Sequence, residues 1–375
     1  MSYFLTPLII PLVSTATGIA LQSMYQFSLV GIVTVIAIGS ILTVYSAWKH
    51  YRNIIQLSLG ILFIGIGACM LWIQNTSNKR LFNLLAEQPL SLIATVTDKG
   101  TWGERQRGTV LYVDVNDTYC HQTKTHQAHS YQLICYLRYP TSIHVGDTVA
   151  LDAITIKKTF SHSHSGNPSY YDYLHKENIL ASLFITNKQC QILDRPRWSI
   201  RRWLWNARAR CYQTIKRQIT PKTAAYFGLI FLGNKEHDNI EGMRLTFNYW
   251  GLSHYLARAG LHIVLVIAIW TFLLSFIPIH IRFKNLFLII MCMVYDCLSW
   301  TSIPFRRALY VFLAAKTASL ITQRANTLHV LTLLCLGILL FNPMQLFFLD
   351  FQLTFALTFA LTLSANVIRQ SKKKQ

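Results

Sequence analysis

Three side chains that can carry positive charge recur at intervals of four residues within the segment 251–262. They are His254, Arg258 and His262, and an apolar stretch follows directly. If the segment is helical, side chains four residues apart form one stripe along the helix. Such a stripe could stabilise an anion in a water-filled path, or its members could extend their polar ends to a membrane interface. The residues alone leave both functions open.

Further polar side chains interrupt the apolar segments that follow. Asp296 and Gln352 lie inside two of these segments. Arg306 and Arg307 lie at a proline turn between them. A charged group in hydrocarbon is costly unless protein, water or a counter-ion meets it, so Asp296 is predicted to pair with Arg258 or Arg307. For Gln352 we predict a polar contact with a neighbouring helix or with pore water.

These residues belong to a chain whose composition indicates a membrane protein. Hydrophobic residues make up 52% of it and charged residues only 13%, with 35 Lys and Arg against 15 Asp and Glu. A membrane span needs roughly 20 mostly apolar residues. Three early segments and five later ones approach that length: 4–21, 27–47, 54–73, 261–277, 286–302, 308–321, 327–341 and 345–368. The predicted fold class is therefore a polytopic α-helical membrane protein, with three transmembrane helices in residues 1–78.

One polar segment, residues 79–194, interrupts the apolar pattern. Short β-prone runs alternate there with Gly, Asp, Asn and Pro, which predicts an inserted small β-barrel domain of the OB type. The basic connector 48–53 and the terminal lysines 372–374 favour cytoplasmic positions by the positive-inside rule. The β domain is then extracytoplasmic, and Cys120 and Cys135 could form a disulfide in that compartment.

A strongly basic segment, residues 195–222, follows the β domain. Apolar residues recur there at helical spacing, which predicts an amphipathic helix lying on a membrane surface. Anionic lipid headgroups and nucleic acid are both suitable partners for such a helix. The cations assigned to this surface are Arg201, Arg202, Arg208, Arg210, Lys216 and Arg217.

Motifs for common enzyme classes do not occur in the sequence. A phosphate-binding loop, a zinc protease motif, a nucleophile elbow and a dinucleotide-binding fingerprint are all missing. The eight cysteines contain no CxxC pair. We therefore predict a protein that is not an enzyme, with no catalytic residue, metal site or cofactor.

The segment GLSHYLARAGLHIVLV resembles the signature of the ComEC family of competence proteins. FLGNK at 231–235, NP at 342–343 and FQLTF at 351–355 resemble further motifs of that family, and the order of segments matches as well. The resemblance implies a competence-type transmembrane domain in residues 223–375 with about five spans. It also implies a channel in the bacterial cytoplasmic membrane that passes single-stranded DNA inward during natural transformation.

Partners and a DNA path follow from that resemblance. It implies contact with membrane lipids, an external DNA receptor and a cytoplasmic DNA translocase. The residues assigned to the path are His254, Arg258, His262, Arg306, Arg307 and Gln352.

The chain departs from longer members of the family in one respect. It lacks the C-terminal metallo-β-lactamase-like domain, so we expect a short form that does not itself degrade the DNA strand, which leaves open whether a separate nuclease acts. Two other interpretations are a small-solute secondary transporter and a truncated homologue without transport activity. An intramembrane enzyme would need a nucleophile beside a base, which the sequence does not display.

Overall fold

A computed structural model describes residues 8–85, 88–102, 108–120, 125–127, 130–139, 141–156, 170–196, 198–233, 240–251, 260–299, 303–321 and 326–374. The chain divides into two compact units. The first, the helical unit, comprises Met1–Lys79, Phe276–Ile289 and Arg307–Gln375. The second, the mixed unit, comprises Arg80–Ser275 and Ile290–Arg306.

Three N-terminal helices pack closely through small residues. They are α1 (Ile9–Tyr25), α2 (Leu29–Trp48) and α3 (Arg52–Leu85). A Cβ added to Gly18 would lie 2.0 Å from the carbonyl oxygen of Ile64, and one added to Gly67 would lie 2.4 Å from that of Thr15. Glycine at such contacts lets two helix backbones approach, which is typical of helix packing in membranes.

Helices occupy all five of the later segments predicted from hydropathy. They are α8 (Gly260–Ser275), α9 (Ile281–Leu298), α10 (Ile303–Ile321), α11 (Thr327–Phe341) and α12 (Leu349–Lys374). In the helical unit, α11 and α12 pack against α1 and α3 through one apolar cluster that includes Ile19, Leu71, Leu339 and Phe355. Early and late parts of the sequence therefore share one core.

The apolar helices expose much of their surface, which indicates a membrane location. Two of them, Leu29–Trp48 and Ile54–Leu85, are long and apolar enough to cross a bilayer. The most exposed apolar side chains of these two helices include three from α2, namely Val30, Ile41 and Val44. Apolar surface of this extent is unfavourable in water and favourable against lipid.

The polar segment forms a mixed sheet, as its β-prone runs predicted. Its strands are β1 (Pro89–Trp102), β2 (Gly108–Cys120), β3 (Thr125–Gln127), β4 (Tyr131–Leu137), β5 (Thr148–Thr155), β6 (Ile179–Ile185) and β7 (Cys190–Asp194). The strand order is β6-β4-β2-β1-β5-β7, with β3 paired to β2. The β4–β6 pair is parallel and the remaining pairs are antiparallel.

Alternation along these strands buries one face of the sheet in a single core. Leu111, Val113 and Val115 of β2 lie in this core, as do residues of the two outermost strands, β6 and β7. A sheet whose opposite edges contribute to one core must curl strongly. The hydrogen-bonded ladders among the described residues do not join β6 to β7, so the sheet is not closed, and the predicted small barrel of the OB type stays a prediction.

One short helix, α4 (Tyr170–Lys176), lies between β5 and β6. Three helices connect the sheet to the later spans: α5 (Ile200–Gln218), α6 (Pro221–Phe227) and α7 (Ile240–Tyr249). A π-helical turn, Gly228–Leu232, extends α6. After α7 the chain takes a left-handed conformation at Gly251, with φ of +66°, which suits glycine because it has no Cβ.

Candidate nucleic-acid interface

One buried carboxylate fixes the start of the basic helix α5 to the β domain. The side chain of Asp147 is fully buried and accepts a hydrogen bond of 2.8 Å from the backbone N–H of His144. It also forms an ion pair with Arg202, and Arg195 lies 3.8 Å away. A carboxylate removed from water needs such partners, so this group determines how α5 leaves the sheet.

The other hydrogen-bond donors of Arg202 also hold the start of α5 against the β domain. Its Nε donates to the carbonyl oxygen of Val145 at 3.2 Å and its Nη1 to that of Pro196 at 3.1 Å. The next residue after Val145 is Gly146, with φ of +87°, where an added Cβ would approach Ser199 Oγ to 2.7 Å. Arg202 therefore acts as a structural clamp, although its sequence position suggested a surface cation.

A second, more exposed ion pair joins α5 to the outer face of the sheet. Arg201 Nη1 lies 3.1 Å from Asp114 Oδ2, on the side of β2 opposite the core. The Arg201 side chain is about half exposed. Ion pairs of this kind contribute little to stability because water screens them.

Two arginines from different segments act electrostatically on Asp98 of β1. Burial raises the pKa of the Asp98 carboxyl, while the backbone N–H of Lys99 and the charges of Arg208 and Arg306 oppose that rise. Arg208 comes from α5 and Arg306 from the start of α10. Two cations beside one carboxylate leave an excess of positive charge, which can bind an anion such as a phosphate.

Backbone and ring contacts hold these two arginines in position. Arg208 Nε donates to the carbonyl oxygen of Cys297 at 2.7 Å, near the end of α9. Phe305, directly before Arg306, is completely buried and meets the ring of Tyr295 edge-on at 5.4 Å. Tyr295 in turn donates to the carbonyl oxygen of Phe231 at 2.6 Å. Arg306 itself is exposed, so its guanidinium is accessible to a ligand.

Comparison with known families identifies the part of the chain that supplies Arg306. Residues 230–375 match the family model described as Competence protein. This part of the chain is a competence domain of the ComEC type. The match agrees with the resemblance found at 251–266 and supports a role in DNA uptake during competence. Searches of curated proteins and of solved structures found no significant match.

The described part of the competence domain does not include the polar side chains of its signature motif. His254 and Arg258 lie outside the described residues. His262 lies in α8 and Arg307 in α10, but their side chains are outside the described part as well. The assignment of these four residues to a DNA path stays a prediction. Arg306 is the one predicted path cation whose surroundings the described residues define.

Asp296 lies near the end of α9 in the competence domain. Its Oδ1 is buried without a hydrogen-bond partner among the described residues. The predicted ion pair with Arg307 or Arg258 stays a prediction, because neither arginine side chain is described.

Gln352 has a local structural contact. Its Nε2 donates to the carbonyl oxygen of Leu346 at 2.8 Å, which closes the turn before α12. The side chain is nonetheless exposed, so a further contact with DNA stays a prediction.

The other basic-helix cations differ in their accessibility. Arg210 Nε donates weakly to the carbonyl oxygen of Asn206 in its own helix, at 3.4 Å. Lys216 and Arg217 are exposed near the end of α5. These three remain suitable for lipid or nucleic acid, whereas Arg201 and Arg202 are already paired with carboxylates of the sheet.

The predicted disulfide between Cys120 and Cys135 is not present. Both thiols are free and buried. Cys135 pairs in register with Leu111, near the start of β2, whereas Cys120 is the last residue of that strand. The length of β2 between them is far greater than the 4.4–6.8 Å, roughly, that a disulfide allows between Cα atoms. Burial raises the pKa of the Cys135 thiol, which lowers its reactivity.

Sequence reasoning missed a polar cluster in the helical unit. Lys316 Nζ donates to Asn285 Oδ1 at 3.1 Å, and Asn285 Nδ2 contacts Ser319 Oγ at 3.3 Å. Asn285 is buried, so its amide joins α9 to α10. A lysine within the apolar run 308–321 was the available signal, because an unpaired cation there is costly.

Proposed function

We propose that this protein passes one strand of DNA through the bacterial cytoplasmic membrane during natural transformation. The observation that carries the proposal is the 2.7 Å hydrogen bond from Arg208 of the basic helix to the carbonyl oxygen of Cys297, within the matched range 230–375. The basic helix, which Arg202 and Asp147 attach to the β domain, thereby contacts the competence domain close to the exposed Arg306 at the start of α10. Phosphates collected at that surface would reach the competence domain without leaving a cationic environment.

In the proposed mechanism the protein binds and releases phosphates through charged side chains, and it breaks no bond in the DNA. Arginine binds phosphate through a planar fork of donors, which suits a strand that must be held and released repeatedly. Release requires that each site bind only moderately, as the neighbouring carboxylate of Asp98 would ensure. An external receptor would deliver DNA, and a cytoplasmic translocase or the membrane potential would supply the energy.

The β domain is suited to the external end of this path. We infer that its curled, open sheet is a partly open barrel of the OB type, a fold that binds oligonucleotides on its outer strands. Supporting features are the parallel β4–β6 pair and the single core shared by both sheet edges.

The orientation of the proposed channel gives a first prediction. We expect both chain ends in the cytoplasm and the β domain outside, because the connector 48–53 and the terminal lysines are basic. Reporter fusions after Asn75, Thr123 and Gln375 measure the side on which each position lies. A cytoplasmic signal at Thr123 would contradict the orientation and, with it, the proposed external collection of DNA.

Deletion of the gene tests the transport function itself. We expect the deletion strain to bind DNA at its surface normally but to accumulate almost no labelled strand in the cytoplasm. A plasmid copy of the wild-type gene should restore import. Normal import in the deletion strain would overturn the proposal, and loss of surface binding as well would indicate a receptor role in place of a channel.

A further inference from the structure

The outer face of the β domain carries a row of exposed aromatic rings beside the arginine pair. They belong to Tyr112 of β2, Phe184 of β6, and Tyr170 and Tyr173 of α4, which are 40%, 74%, 49% and 43% exposed. Tyr136 of β4 lies among them and is partly buried. A contiguous exposed patch of this kind is a typical feature of a binding surface.

The rings are ordered in two stacked pairs. Tyr136 and Phe184, which are partners in the β4–β6 register, have centroids 5.1 Å apart and planes inclined by 23°. Tyr170 and Tyr173 stack at 6.2 Å and 21°. The hydroxyls of Tyr136 and Tyr170 lie 3.3 Å apart and join the two pairs. Ordered rings present flat faces, which bases recognise by stacking.

Tyr112 connects this aromatic row to the arginines. It is the register partner of Asp98 across β1 and β2. Burial raises the pKa of Tyr112, and the electrostatic influence of Asp98, Tyr170 and Glu177 raises it further. The register pair Asp98–Tyr112 therefore links the aromatic row to the carboxylate on which Arg208 and Arg306 act.

We propose that this aromatic row is a stacking surface for the bases of single-stranded DNA, with Arg208 and Arg306 binding the adjoining phosphates. The inference rests on the proposed function and deepens it, because it assigns base contacts as well as phosphate contacts. Duplex DNA keeps its bases stacked on each other, so it would bind the arginines alone. The surface thus selects a single strand by the availability of base faces.

A second exposed apolar patch lies at the start of α5, away from the stacked rings. It consists of Trp198, Ile200 and Trp203, which are 80%, 60% and 59% exposed. Tryptophan and aliphatic side chains beside the cations of a basic amphipathic helix are typical of a membrane-interface patch. The molecule therefore has a separate surface suited to lipid.

Binding measurements on the purified full chain in detergent micelles test the proposal. We expect Phe184→Ala to weaken binding of a labelled thymidine oligonucleotide about tenfold, since stacking on one ring accounts for a change of that order. Phe184→Trp should restore the affinity. Leu193→Ala, which removes an exposed apolar side chain from β7, is the matched control and should bind as the wild type does.

The salt dependence separates stacking from charge. Phe184→Ala should keep the wild-type slope of log Kd against log salt concentration. Arg306→Gln should reduce that slope by about one, the amount that corresponds to one phosphate contact. Neither Phe184 variant should change the affinity for duplex DNA. Tyr170→Ala, in α4 and outside the sheet, provides a second test if Phe184→Ala lowers the thermal midpoint.

Three results would overturn the stacking surface. The first is wild-type affinity for the oligonucleotide in both Phe184→Ala and Tyr170→Ala. The second is an equal loss of duplex binding, which would mean that the rings act through structure. The third is a variant that binds DNA as the wild type does but has a lower thermal midpoint in lipid nanodiscs and not in detergent micelles. That result would assign the row to the membrane. Failure of the wild-type protein to bind DNA at all would instead refute the proposed transport function.

Discussion

Replacing Arg306 with glutamine is expected to reduce import of DNA at least about tenfold, because a charged hydrogen bond to phosphate contributes about 1.5–3 kcal/mol. Arg306 is exposed, acts electrostatically on Asp98 together with Arg208, and directly follows the buried ring of Phe305. Glutamine keeps polarity but removes the charge that attracts phosphate. Surface binding of DNA, which precedes import, should stay near the wild-type level. Scintillation counting of protected, labelled DNA in the cytoplasm measures the effect.

A structural role for Arg306 makes a different prediction. If Arg306 serves only to neutralise Asp98, Arg306→Gln should lower the amount of protein in the membrane, and adding Asp98→Asn should restore it. If Arg306 contacts DNA, abundance should be normal and Asp98→Asn should not rescue import. Lys188→Gln, which removes an exposed cation from the turn between β6 and β7, is the control for general loss of charge.

The sequence also predicts a role for the neighbouring Arg307. We expect Arg306→Gln combined with Arg307→Gln to stop import while leaving membrane insertion intact. Normal import by a stable double variant would remove both arginines from the DNA path.

Breaking the buried clamp at the start of α5 should have the largest effect on stability. Replacing Arg202 with methionine leaves the fully buried Asp147 carboxylate with a backbone N–H and the more distant Arg195 as partners. Removing one partner of a buried ion pair costs about 3–5 kcal/mol. We expect that loss in the free energy of unfolding, followed by tryptophan fluorescence of the purified protein in denaturant.

The exposed ion pair on the same helix is a matched control. Arg201 makes the same kind of contact with Asp114, but its side chain is 54% exposed. Arg201→Met should therefore cost only about 0–1 kcal/mol. The double variant Arg202→Met, Asp147→Leu should be more stable than Arg202→Met alone, because it leaves no charge buried. Equal costs for Arg201→Met and Arg202→Met would contradict the clamp.

Loss of the clamp should also impair function through geometry. Arg202 and Arg208 lie on the same helix, so detaching the start of α5 from the sheet would displace Arg208 from Asp98. The ion pairs of Arg201 and Arg202 therefore attach the start of α5 to the sheet, whereas the cations later in the helix are available to a ligand.

Local sequence patterns were sufficient to predict the elements of this fold. Hydropathy alone located five helices after residue 259, because each helix must present apolar side chains along its own length. Alternation located most strands of the β domain for the same local reason. The short edge strand Cys190–Asp194 was missed, since five half-exposed residues carry a weak pattern. The extension of α3 to Leu85 was missed because its last turns are polar.

Assignment of roles to charged residues depended on the tertiary structure. In the sequence, Arg201, Arg202 and Arg208 are equivalent cations on one basic helix. The sheet distinguishes them, since it offers a buried carboxylate to Arg202, an exposed one to Arg201 and a shared one to Arg208. Cys120 and Cys135 are close in sequence, yet the register of β2 and β4 separates them.

The class of this protein is predicted by its apolar segments, its basic helix and the competence signature at 251–266. Folding joins Arg208 of α5 to the end of α9 and aligns the rings of β4, β6 and α4. The two kinds of feature differ because the interactions that produce them act over different distances along the chain. Hydropathy and helix propensity act between near neighbours in the chain, whereas a binding surface is formed by contacts between distant segments that folding alone creates.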